Sequence, residues 1–211
     1  MPEAIENGEP WIQTIGGGAV DLVNPQPDAI DFRHIARVLS RVPRYAGHTE
    51  SGVFSVAQHC EQGARAILRE TGNYEHAKAF LLHDAHEAYI GDMSTPAMDA
   101  LCVIAEEANT DRGAAIMRAA LREQKARLDK AIYTAADMLW PLDEATRKCI
   151  REYDVRMCRT ERDARMATPP KPWADLIEQA VPVKWADCQE WSAGTIEKLF
   201  VHALMDFGIL T

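Results

Sequence analysis

No uncharged apolar run in this chain approaches the ~18 residues that a membrane-spanning helix needs. The opening MPEAIENGEP has neither the basic start nor the apolar core of a secretory signal, so a cytoplasmic protein with no membrane partner is expected. Cysteine is sparse. The five residues (60, 102, 149, 158 and 188) are odd in number and lack a CxxC pair, which argues against a disulfide framework or zinc finger and fits reduced thiols. Internal repeats and low-complexity tracts are absent. Positive charge is also in deficit: 23 Lys and Arg against 32 Asp and Glu leave a net charge of −9, which argues against broad nucleic-acid or anionic-membrane binding. An anionic ligand would need a local attraction. The 211 residues, 47% hydrophobic and 26% charged, exclude general disorder and suffice for one domain with a substantial core.

β patterning is confined to the start. Residues 1–30 are rich in Gly and Pro and read as an extended arm, with a short hairpin around WIQTIGGGAVDLV. From Asp31 onward the periodicity is helical. Asp31 can cap a helix through Ser40, stopped by Pro43. A second helix starts near Ser51 and carries Val53, Val56, Ala57, Cys60, Ala64, Ile67 and Leu68 at helical spacing. A third is expected from Tyr74 to Ile90, closed by Gly91, with Pro96 opposing continuation. Further helices are expected over 111–139, 143–166 and the closing AGTIEKLFVHALMDFGI. The class is all-α, with the arm at 1–30, a helical bundle over 31–166 and a helical extension over 167–211 packed on the same domain.

One stretch breaks the apolar logic. LLHDAHEAYIGDMSTP sets an imidazole and three carboxylates (His83, Asp84, Glu87 and Asp92) directly behind a buried-type run. On a continuous helix His83 and Glu87 are i, i+4 neighbours and Asp84 and Glu87 are i, i+3 neighbours, so all three can edge one cavity. An isolated HD pair is more often just a polar helix end. Here His59 sits at the margin of the preceding apolar stripe, and Asp154 has Ile150, Met157 and Cys158 as helical neighbours, which places it on the buried side. A buried carboxylate needs a cation or a strong donor; Arg147 or Arg151 is the plain structural partner. The alternative is a metal. His59, His83, Asp84 and Asp154 supply two imidazoles and two carboxylates from three helices, a set suited to a borderline divalent ion.

These residues resemble the HD-domain metal-dependent phosphohydrolases, and within them the bacterial 5′-deoxynucleotidases and the phage-type deoxynucleoside-triphosphate (dATP) triphosphohydrolases. HDAHEAYIGDMSTP matches each fixed position of their HDxxExYxGDxxxP signature. LSRVPRYAGHTESGVFSVAQHC is similar to their arginine loop and first metal histidine, and REYDVRMCRTE to the helix bearing the last metal aspartate with a glutamate seven residues on, Asp154 and Glu161 here. The resemblance spans about residues 11–166. It implies an HD-type helical bundle and one divalent ion (Mn2+, Co2+, Zn2+, Fe2+ or Ni2+) on His59, His83, Asp84 and Asp154. It further implies a small-molecule nucleotide substrate, no nucleic-acid partner, and a homodimer or larger homo-oligomer. Two positions depart from the pattern: Gln58 where a glutamate often precedes the first metal histidine, and Arg44-Tyr45 where some nucleotidases carry Arg-Trp.

Glu87 and Asp92 are then spare carboxylates. Glu87 fits water positioning and proton transfer, and Asp92 fits contact with the leaving group or a sugar hydroxyl, the plain alternative being a turn residue beside Gly91. Residues 33–48 hold four arginines (33, 37, 41 and 44), two histidines and no acid. Arg33, Arg37 and Arg41 share a helix face that solvation alone explains. Arg44 lies in the loop, where the family places a substrate-binding arginine. His48 is a second candidate phosphate contact, and Tyr45 is a candidate base platform or simply a core aromatic. His86 faces away by helical phase and is expected at the surface. The expected function is metal-dependent removal of phosphate or triphosphate from a (deoxy)nucleotide. A metal-stabilised nucleotide-binding module without turnover is the alternative, and a helical scaffold would leave Asp154 unexplained.

Overall fold

Side-chain caps mark where the helices begin. The structure, a computed structural model, describes residues 10–109, 112–184 and 186–211. Residues 1–9 of the expected arm and Asp111, the expected start of a helix, lie outside these. Asp31 accepts from the Arg33 and His34 amides to start α1 (Phe32–Leu39), and Ser55 accepts from Gln58 to start α2 (Val56–Thr71). Asn73 opens α3 (Tyr74–Leu82) through His76. Each such cap satisfies an amide that the helix itself cannot. Gly72, at φ 67°, closes α2 in the left-handed conformation.

The protein is all-α apart from one hairpin, β1 (Trp11–Gln13) paired antiparallel with β2 (Ala19–Asp21) in register Ile12 to Val20. Val20 is fully buried and fastens the hairpin to the helices. α2 and α3 pack most extensively. α7 (Glu144–Arg165) lies across both, and α9 (Ala193–Asp206) closes over α1 and α2. Ile35, Leu39, Ile67, Leu81, Ile132 and Phe200 form the fully buried centre. Residues 167–211 therefore contribute to the same core through α9. No helix among the described residues is long and apolar enough to cross a membrane.

Two helix assignments differ from expectation. α5 (Thr95–Asn109) begins where Pro96 was expected to oppose a helix. Proline in a first turn removes no intrahelical bond, so it marks a start there. α5 pairs with α6 (Gly113–Ala135), and Gly113 is needed where they cross, because a Cβ would overlap the Ala105 carbonyl.

The other difference is at 83–86. The expected continuous helix over 74–90 is interrupted: α3 ends at Leu82 and a short α4 spans Glu87–Ile90. Between them the bonds run three residues back: His83 N to Phe80 O, Ala85 N to Leu82 O and Glu87 N to Asp84 O. Winding at about three residues per turn sets Asp84 above Glu87 and turns His86 inward. His86 is accordingly buried, with Nδ1 2.8 Å from an Asp129 carboxylate oxygen, and not at the surface.

α2 and α3 meet at Gly63, where an added Cβ would overlap the buried Phe80 ring. That ring stacks 4.3 Å from His83. Gly63→Ala is therefore expected to destabilise the fold by about 1–3 kcal/mol, the usual range for overpacking a filled core. Urea unfolding checks this; an unchanged midpoint would mean that Phe80 moves aside without cost.

Candidate metal centre

Four elements converge on one point. His59 projects from the first turns of α2, His83 and Asp84 from the interrupted turn, and Asp154 from the middle of α7. His59 Nε2 lies 3.3 Å from His83 Nε2, 3.3 Å from Asp154 Oδ1 and 3.8 Å from Asp84 Oδ2. His83 Nε2 lies 3.2 Å from Asp84 Oδ2 and 4.0 Å from Asp154 Oδ1. An ion with bonds of ~2.1 Å sets its ligands about 3.0–3.4 Å apart, so these separations fit the edges of one coordination shell.

The ring orientations support the same point. His59 Nδ1 is 2.6 Å from Glu161 Oε1, and His83 Nδ1 is 2.7 Å from the Phe80 carbonyl. Both partners accept, so each Nδ1 carries the proton and each Nε2 presents a lone pair. Two lone pairs 3.3 Å apart need a cation between them. Burial pulls the His83 pKa down most, but Asp84 and the hydrogen bonds outweigh it and hold it well above the ordinary value. Burial likewise opposes ionisation of Asp84, yet His83 keeps that carboxyl well below its ordinary range. A site that raises imidazoles and depresses carboxyls is one of negative potential, as a divalent ion requires.

Cys60 also lies near, with Sγ 3.9 Å from His83 Nδ1. That is the ring edge turned toward Phe80, opposite the convergent Nε2, and burial pushes the thiol up to about 11. The residues present therefore fit a nitrogen–oxygen shell for a divalent metal. His59, His83 and Asp154 form one candidate ligand cluster, and Asp84, His86 and Glu87 form an adjoining one.

Sequence reading had Asp154 on a buried face. Its side chain is 44% accessible because α7 turns it into the open cavity, with His59 closer than any arginine. Arg147 and Arg151 instead pair with Glu144. Arg44 is the arginine nearest to Asp154, at 4.0 Å.

Arg44 was expected in the loop, aimed toward His59. The loop is there, held by Arg44 N bonding Phe54 O, with Tyr45 and Ala46 in the left-handed region at φ 57° and 51°. The Arg44 side chain, however, is buried among carboxylates: Nε donates to Glu161 at 2.9 Å and Nη1 stands 3.5 Å from Asp84. Its loss would disturb the site as well as any substrate. Tyr45 donates its hydroxyl to Glu161 at 2.6 Å, with its ring 6.0 Å from Trp173, so its strongest contact is with a carboxylate and not with a base. His48 is exposed and lines a cleft of about 400 Å3 with Thr49, Met166, Pro170 and Trp173. No hydrogen bond or ion pair joins it to the four ligand residues among the described residues. Arg33, Arg37 and Arg41 are exposed, as a solvated face requires.

Glu87 is buried beside Asp84, and its Oε2 has no hydrogen-bond partner among the described residues. Burial first, then the charges of Asp84 and Asp92, push its carboxyl up to about 9. Asp92, half-buried beyond Gly91, is raised chiefly by burial, with Arg44 opposing. Lys125 of α6 acts on both carboxyls as a nearby positive charge, a neighbour that the sequence did not indicate.

The principal residue missed at this level was Glu161, noted only through the resemblance. It is fully buried and joins His59, Arg44 and Tyr45. Its signal was present: Asp154, Met157, Cys158 and Glu161 follow one helical face at i, i+3, i+4 and i+7. Gln58 does not orient His59; its amide donates to the Asp187 and Gln189 carbonyls, tying the segment before α9 to α2. Glu161→Gln removes the charge that fixes the His59 tautomer. It is expected to weaken metal binding roughly 10- to 100-fold, the usual effect of losing such a supporting carboxylate. Calorimetric titration with Mn2+ or Co2+ checks this, and unchanged affinity would remove Glu161 from the centre.

No family model matches the chain. An uncharacterized protein of Rhodobacter capsulatus is 38% identical over 94 residues, which make up 43% of this chain and 48% of that relative. The chain therefore spans about half the length of the curated relative that it matches.

Proposed function

We propose that this protein is a divalent-metal phosphohydrolase of the HD type, removing the 5′-phosphate or the triphosphate from small deoxynucleotides. The reading is carried by one observation: two imidazole lone pairs and two carboxylates set 3.2–4.0 Å apart, with a spare buried carboxyl, Glu87, at their edge. The signature that runs from His83 to Pro96 supports it independently.

The ion, when bound, supplies Lewis acidity and makes water nucleophilic near neutral pH. Water attacks phosphorus, the bond from phosphorus to the ester oxygen breaks, and the water's proton must reach the departing oxygen. Glu87 stands one turn from the ligand Asp84 and is the group in this chain that takes that proton and returns it. The metal-free site favours its neutral form; a divalent cation beside it favours the carboxylate, the form that accepts a proton. Asp92 stands on the same side, where it orients the leaving group or a sugar hydroxyl. Arg44, with Nε committed to Glu161, keeps Nη1 and Nη2 beside the ligand carboxylates, where they can meet phosphate oxygens. This is the local attraction that a chain of net charge −9 needs.

A module that only binds nucleotide would not use a proton carrier, so Glu87 separates the two readings. Glu87→Ala is expected to retain metal and nucleotide binding while losing hydrolysis on the order of 100-fold or more. The measurement is turnover of the metal-loaded protein on each deoxynucleoside mono- and triphosphate, with phosphate and triphosphate detected separately. Undiminished turnover by the variant would remove Glu87 from the mechanism, and no turnover of any substrate by the parent protein would favour the binding module.

A further inference from the structure

We propose that the α5–α6 hairpin is a self-association face that seats a second copy of this chain about a twofold axis, with the two α6 helices antiparallel. α5 packs chiefly on α6, and the outer side of the pair is apolar. Ile116 is 65% exposed, Ile104 58% and Leu101 39%. These are not scattered residues. On α5, Ala97, Ala100, Leu101, Ile104 and Ala108 follow one helical stripe and are all exposed. On α6 the exposed stripe is Ala115, Ile116, Ala119 and Ala120.

The two stripes lie on the same side of the hairpin. Arg118 bonds Asp99 at 2.7 Å across one face, and helical phase turns both stripes to the other face. Asp99 beside Arg118, and Cys102 beside the Ala114 carbonyl, fix the relative height of the helices and set Leu101 level with Ile116. The outcome is a continuous apolar surface, of the kind that marks an interaction site when it is not covered.

Its charges select the occupant. A twofold interface must be complementary to itself. The α6 stripe is bounded by Arg112 at one end and Glu123 at the other, both exposed. Glu123 also bonds Arg127 within its own helix at 2.8 Å, which leaves its second oxygen for a further donor. A twofold axis between Met117 and Arg118 sets Arg112 opposite Glu123 of the second copy, and the reverse pair follows by symmetry. The same axis sets Ile116 opposite Ala119 of the second copy, and Ala115 opposite Ala120, so each large side chain meets a small one and the helices approach closely. A generic apolar partner would not require this palindrome of charge and size.

Sedimentation velocity of the full chain across micromolar concentrations tests the proposal. The expected species has twice the 23.5 kDa of one chain, and Ile116→Glu is expected to convert it to a monomer with unchanged helix content by circular dichroism. Arg112→Glu alone and Glu123→Arg alone each place like charges together and should weaken association about tenfold or more. An equimolar mixture of those two variants places opposite charges at both contacts and should associate again as a heterodimer. This charge exchange decides the matter even if Ile116→Glu fails to fold. A parent chain that stays monomeric would overturn the proposal. So would a dimer that tolerates Ile116→Glu, or a variant mixture that remains as weak as its parts.

Discussion

The buried carboxylate of Glu161 is the constraint on which the candidate centre depends. A carboxylate removed from water costs several kcal/mol unless its oxygens are fully met. Here the Arg44 guanidinium, the His59 ring N–H and the Tyr45 hydroxyl meet them. The same three contacts fix the His59 tautomer, hold Arg44 beside the ligands and bind the 44–47 turn to α7. A loop with two non-glycine residues at positive φ is strained, and these contacts are what hold it in place. Orientation of a ligand, placement of a cation and closure of a loop thus follow from one interaction, formed between segments 117 residues apart in sequence.

The interruption between α3 and α4 is the second constraint. An α-helix through 83–87 would separate Asp84 and Glu87 by about 300° of rotation, near but not aligned. Tightening to three residues per turn brings them into line and buries His86 against Asp129. It also leaves His83 with its Nδ1 on the Phe80 carbonyl, so the bond that closes α3 also sets the ring. Gly63 admits the Phe80 ring against α2, and through it the packing of the core reaches the centre.

Electrostatics distinguish the ligands from the spare carboxyls. Asp84 and Asp154 face imidazoles and are held ionised, whereas Glu87, buried and beside other negative charges, is not. Similar side chains thereby acquire different roles: fixed charge in the shell and a mobile proton at its edge. The basic residues divide in the same way. Arg33, Arg37 and Arg41 remain in solvent, while Arg44 and Lys125 act on the carboxylates of the cavity.

What the sequence determined by itself is local in its physics. The helical class, the caps at Asp31, Asn73, Asp143 and Ser192, and the N-terminal hairpin follow from hydrogen bonds and periodicity within a few residues. The four candidate ligands were legible because each breaks an apolar pattern in a recognisable way. Pro96 misled because the same residue that ends one helix can begin the next. The positions of His86, Tyr45 and Gln58 were not legible, because each depends on a partner more than 40 residues away. Only the tertiary structure decided that Asp154 opens on a cavity, that Glu161 and not Gln58 orients His59, and that the outer face of α5 and α6 stays uncovered. Those outcomes are set by which surfaces meet when the helices pack, a non-local balance of burial and charge that no segment carries alone.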